Sequence, residues 1–183
     1  LAAIFALYSL MFFALFSFMP VLLMNRMGVS LQTAGLLSAV ATGANVIGNL
    51  AAGMLLSRGV KRATLVGTAC AVMGIAAFGI FSTALPPAWA FLLCVLFSGA
   101  GGMLPATIIA TTPILSPAER LTPVAVGLVM QGSNLGQVIG PVAVGRAIDS
   151  FGWASASVIV AAAGAAGFAL SLVHWHAGRR QMA

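Results

Sequence analysis

Very little in this sequence can do chemistry by charge; its polar chemistry comes as amides and hydroxyls at helical spacing. Ser38, Thr42, Asn45 and Asn49 fall at i, i+4, i+7 and i+11, which puts them on one face of a helix. Gln131, Asn134 and Gln137 repeat the arrangement further along. Such side chains donate and accept hydrogen bonds without charge. They suit either the grip of a polar solute or the bonding of one buried helix to another. Tyr8, Ser98, Thr107 and Thr111 add hydroxyls, and Phe12 and Phe16 add rings. Groups for acid–base work are scarce: two Asp and Glu and two His accompany eight Lys and Arg in 183 residues. Cys70 and Cys94 have no His or carboxylate nearby. They read as small hydrophobes, neither a disulfide pair nor a metal site. No pattern requires a cofactor or a metal.

The elements that position these residues are long apolar stretches. Hydrophobic residues make up 61% of the chain and charged residues 5%, far below the quarter or so that a soluble domain needs for its surface. Short breaks at Asn25-Arg26 with Gly28, Ser57 to Arg62, Pro86-Pro87, Ser116 to Arg120, and Asp149 to Gly152 leave spans at about 2–24, 31–56, 63–85, 88–114, 122–147 and 153–176. Each span reaches the roughly 20 residues that cross a bilayer as a helix, and none alternates as a barrel strand would. A polytopic membrane protein follows. The net charge of +6 is dispersed over loops and tails without a basic face, which excludes a nucleic-acid partner. Arg58, Lys61, Arg62, Arg120, Arg179 and Arg180 fall on one side, against Arg26 and Arg146 on the other. The excess of basic residues marks the first group's side as cytoplasmic, with both termini there. Trp89, Trp153 and Trp175 then sit at span ends, where aromatic belts form, and His174 and His176 suit the same interface. The chain opens on Leu1 inside an apolar run, so an upstream segment is expected.

A shift of 92 residues lays the second span on the fifth. Gly35, Gly48 and Gly53 land on Gly127, Gly140 and Gly145, and Leu36, Val46 and Ile47 on Leu128, Val138 and Ile139. Thr42 meets Asn134 and Asn45 meets Gln137, polar on polar. Offsetting by three spans reverses direction in the membrane, so the pattern predicts an inverted repeat of units at about 1–85 and 88–176. Close helix packing through glycines would also produce part of it.

The loop after the second span reads Gly53-Met54-Leu55-Leu56-Ser57-Arg58-Gly59-Val60-Lys61-Arg62-Ala63-Thr64-Leu65. It resembles the signature loop of the major facilitator superfamily, G-x-L-x-D-R-x-G-R-[KR]-x-x-L. Ser57 stands where the family has Asp, and Val60 where it has Gly. The fifth span carries Gly127, Gly136, Gly140-Pro141 and Gly145, similar to the family's antiporter motif with its final glycine pair reduced to Val144-Gly145. Gly132, Gly136 and Gly140 also form an i, i+4 stripe that admits a neighbouring helix, and Pro141 removes a backbone donor.

The resemblance implies an all-α membrane protein: six transmembrane helices as a 3+3 inverted repeat, half of a major-facilitator-type bundle. It further implies a transporter of a small solute by alternating access, multi-pass in the (inner) membrane of a bacterial cell, and no enzyme. Its partners would be the solute, the lipid bilayer and the N-terminal six-helix half of the same transporter. On this reading Tyr8, Thr42, Asn45, Asn49, Thr107, Gln131 and Asn134 are candidates for the solute path. Gly53, Ser57, Arg58, Lys61 and Arg62 form the cytoplasmic loop, and Gly136, Gly140, Pro141 and Gly145 the packing motif. Gly99, Gly101, Gly102 and Pro105 interrupt the fourth span, as transporter helices often are. Two alternatives are a half-size carrier acting as a homodimer and a six-helix intramembrane serine protease, of which Ser98-Gly99 and His174 are faint echoes. A channel would need a ring of carbonyls or charges that is not visible here.

Overall fold

The computed structural model describes residues 1–180, with side chains as far as Val173. Six long helices follow one another: α1 (Ala2–Met27), α2 (Leu31–Ser57), α3 (Arg62–Phe81), α4 (Pro87–Leu115), α5 (Thr122–Phe151) and α6 (Trp153–Arg180), with a single 3₁₀ turn at Glu119–Leu121. No strand occurs among the described residues.

The breaks are built by local chemistry. Gly28 ends α1 in the left-handed conformation, φ 64°, where a Cβ would be strained. Ser30 caps α2, its Oγ accepting from the Thr33 backbone N–H at 3.2 Å. Beyond α2, Val60 N–H reaches the Leu55 carbonyl and Gly59 N–H the Leu56 carbonyl, each at 3.0 Å. That pair of bonds closes the helix as a Schellman motif, with Gly59 at φ 83°. Pro86 and Pro87 open α4, where a missing N–H costs nothing.

One expectation needs correcting, and a second is met in part. The third helix stops at Phe81 and not at residue 85, because Ser82 turns back to accept the Ala84 N–H. Five helices are long and apolar enough to cross a membrane, and α5 is the one left out. It has the length, at 30 residues, but Gln131, Asn134, Gln137 and its glycines dilute its hydropathy.

The helices pack in pairs. α1 lies most extensively on α5, α3 on α6, and α2 on α4, while α3 also covers α4. Met11, Leu15, Met19, Met73, Phe97, Leu104, Ile108, Val144 and Val160 fill the space between them and are fully buried. Outside, large apolar residues stand exposed on α2 (Leu36, Val40, Ile47, Leu50) and on α5 (Leu128, Leu135, Val138, Ile139). A water-facing surface does not carry patches of that extent. The side chains of His174, Trp175, His176, Arg179 and Arg180 lie outside the described residues.

Candidate functional site: two polar clusters within the helix bundle

Glycines set how near the helices come. A Cβ on Gly48 would collide with the Gly99 carbonyl and stand 3.1 Å from the Gly102 Cα. One on Gly102 would collide with the Asn45 carbonyl. α2 and α4 therefore touch backbone to backbone. α1 and α5 do the same: a Cβ on Gly132 would overlap the Ala2 carbonyl, one on Gly136 the Ala6 carbonyl, and one on Gly140 the Leu10 carbonyl. Gly145 lies against the Phe18 ring, and Pro141 sits inside α5.

This closeness brings amides and hydroxyls together at two places. At the first, the Asn45 Nδ2 group donates to the Tyr8 hydroxyl on α1 at 3.3 Å and to the Ser98 carbonyl on α4 at 3.2 Å. The Asn49 amide donates to the Asn45 carbonyl at 3.0 Å and to its Oδ1 at 2.9 Å, which fixes how the Asn45 amide is turned. Tyr8 is 6% exposed and belongs to a run of rings on α1, from Phe5 (5.9 Å) to Phe12 (5.7 Å) and on to Phe16 (4.5 Å from Phe12). At the second place, Ser9 on α1 and Ser133 on α5 share a hydrogen bond of 2.8 Å, and the Gln137 amide donates to Ser133 Oγ at 3.3 Å. Sequence reasoning passed over Ser9 and Ser133, since a lone serine in an apolar run carries no spacing signal. The stripe of Gly132, Gly136 and Gly140 beside Ser133 was the available hint.

Of the path candidates, Tyr8, Asn45 and Asn49 come together. Thr107 is buried and spends its hydroxyl on the Met103 carbonyl at 2.7 Å. Thr42, Gln131 and Asn134 are exposed on the outer faces of α2 and α5, and Thr42 bonds back to the Ser38 carbonyl at 2.8 Å. In the loop after α2, Gly53 is open to its surroundings, Ser57 bonds to the Met54 carbonyl at 2.8 Å, and Arg58, Lys61 and Arg62 are exposed. Ser98 Oγ is fully buried without a hydrogen-bond partner among the described residues. A serine nucleophile needs a base within reach, so the protease reading has no support; the side chain of His174 is outside the described residues.

One charged residue was read only as a marker of sidedness. Arg26, at the end of α1, donates to the Ile80 carbonyl at 2.9 Å and to the Leu85 carbonyl at 2.8 Å. It ties α1 to the last turn of α3 and to the connection that follows.

The family model for the Major Facilitator Superfamily matches residues 1–181. The chain belongs to that superfamily. A comparison with curated proteins gives no match. Membership makes this superfamily chain a multi-pass membrane protein of a family of transporters, with its glycine contacts and polar clusters inside the helix bundle.

Proposed function

We propose that this superfamily chain is one six-helix half of a secondary active transporter that moves a small solute by alternating access. A second bundle, the N-terminal half of the same transporter, supplies the other wall of the path. The observation that carries the reading is a matched register. The shift of 92 residues that lays Gly48 on Gly140 also lays Leu10 on Gly102, so the α2–α4 contact at Gly48 and Gly102 becomes the α1–α5 contact at Gly140 and Leu10. The same shift carries Asn45 to Gln137, the amide of one polar cluster to the amide of the other. Such an exchange is what a 3+3 inverted repeat of units 1–85 and 88–176 produces, and it supports α5 as a sixth membrane crossing despite its polarity.

The solute path runs beside Tyr8, Asn45 and Asn49. Phe12 and Phe16 continue it along α1, and Thr42, Gln131 and Asn134 line it from the exposed faces of α2 and α5. Exposed amides at this depth are costly against lipid and natural against a wet cavity. The loop with Arg58, Lys61 and Arg62 lies in the cytoplasm, with both termini, in the cell (inner) membrane. Cysteine substitution tests this in a background with Cys70 and Cys94 replaced by Ala. Cysteines at 42, 131 and 134 will react with a membrane-impermeant maleimide in the assembled transporter. One at 58 will react only from the cytoplasmic side. Silence at 42, 131 and 134 from both sides would place them against lipid and end the path assignment.

A further inference from the structure

The bond between Tyr8 and Asn45 crosses a seam between two tightly joined helix pairs. α2 and α4 are locked backbone to backbone at Gly48, Gly99 and Gly102, so Asn45 and Ser98 travel together. α1 is locked to α5 at Gly132, Gly136 and Gly140. Contact from α1 to α2 or α4 is far less extensive than within either pair. Asn45 alone bridges that seam by side-chain hydrogen bonds among the described residues, with one amide hydrogen for Tyr8 on α1 and one for the Ser98 carbonyl on α4.

Ser98 supplies the second observation. Thr107, Thr111 and Thr112, on the same helix, each spend their hydroxyl on the carbonyl four residues back, at 2.7, 2.6 and 2.9 Å. Ser98 does not, although it is 0% exposed, and its Oγ has no partner among the described residues. A buried hydroxyl left unpaired costs free energy, and the ordinary remedy is one rotamer away. Its carbonyl already holds the Asn45 amide, so the residue that this amide touches also carries a hydroxyl with no partner among the described residues.

We propose that Asn45 is a two-position latch. In the state described here its amide holds the Tyr8 hydroxyl and couples α1–α5 to α2–α4. When Tyr8 turns to a solute in the path, the freed amide hydrogen passes to Ser98 Oγ, and the two pairs are released to shift. Asn45 is thus a positioning residue that acts on the solute through Tyr8. The proposal rests on the path assignment for Tyr8, but its test needs no solute, so loss of uptake and loss of the latch are separate outcomes.

Tyr8 is the single tyrosine of the chain, so the tyrosine ring doublet in ultraviolet resonance Raman reports its hydrogen bonding alone. The purified chain in lipid nanodiscs will give both an accepting and a non-accepting phenol. Ser98→Ala will lower the non-accepting share about fivefold, the ratio that one hydrogen bond of about 1 kcal/mol supplies. Ser98→Thr, which keeps the hydroxyl, will leave the doublet as in the parent chain, and Asn45→Leu will abolish the accepting form. Ser98→Cys, close in shape and a weak hydrogen-bond partner, replaces Ser98→Ala if the latter fails to melt as a folded protein. A doublet unchanged by Ser98→Ala or Ser98→Cys, or altered equally by Ser98→Thr, overturns the latch.

Discussion

At the scale of single residues, the most consequential charge is the one nearest the apolar interior. Arg26 has no carboxylate partner among the described residues; two carbonyls, Ile80 and Leu85, take its guanidinium instead. Hydrogen bonds from a charged donor are worth about 1.5–3 kcal/mol each, and the Leu85 bond, being exposed, belongs at the lower end. Arg26→Gln is therefore expected to lower the stability of the chain in detergent by about 2 kcal/mol, with the melting temperature as the measurement. Arg26→Lys should recover only part, because a point donor cannot span two carbonyls as the planar fork does. Equal melting of parent and Arg26→Gln would show the clamp to be ornamental. Sequence reasoning could see that Arg26 lies at a boundary. It could not see the clamp, whose acceptors are backbone atoms 54 and 59 residues away. The same holds for the polar stripe. Periodicity put Ser38, Thr42, Asn45 and Asn49 on one face, yet Ser38 and Thr42 bond to their own helix while Asn45 reaches two others. Which member of a stripe meets a neighbour depends on how the helices cross, and spacing alone does not carry that.

At the scale of helices, the breaks were legible because Gly28, Gly59, Pro86-Pro87 and Gly152 act through local backbone rules. The end of α3 was not. Residues 82–85 are apolar enough to extend a hydropathy window, while Ser82 ends the helix through a single side-chain bond. The glycines separate sharply by what surrounds them. Gly48 and Gly140, related by the 92-residue shift, both press on a neighbouring backbone, whereas Gly43 has nothing within 4 Å. Gly48→Val and Gly140→Val should each force a helix pair apart at a cost of about 1–3 kcal/mol or more. On the proposed inverted repeat the two contacts are mates, so the two losses should be alike. Gly43→Ala should be neutral or gain roughly 0.5–1 kcal/mol from helix propensity. Unfolding in a graded detergent mixture measures all three. A tolerated Gly48→Val beside a damaging Gly140→Val would argue against the proposed repeat.

At the scale of the whole molecule, the outer faces of α2 and α5 pose the question that the bundle alone does not answer. Gly35 and Gly127 are exposed with nothing within 4 Å of an added Cβ, and the 92-residue shift relates them. Around them stand Leu36, Val40, Leu128 and Met130, with Thr42, Gln131 and Asn134 a turn or two beyond. A face meant only for lipid gains nothing from glycine, which costs helix stability. Glycine does permit close approach by another helix. A second six-helix bundle seated on both faces would account for the pair, and for polar residues among apolar ones. The expectation is specific to the assembly. Gly35→Leu and Gly127→Leu should leave the melting temperature of the 183-residue chain unchanged or slightly raised. In a polypeptide that also carries the second bundle, each should weaken the union of the two halves, measured as earlier dissociation on heating or faster proteolysis between them. The double substitution should do more than either, since the two sites lie on separate helices and their effects should add. Indifference in both settings would turn these faces toward lipid and leave the six helices without a partner surface.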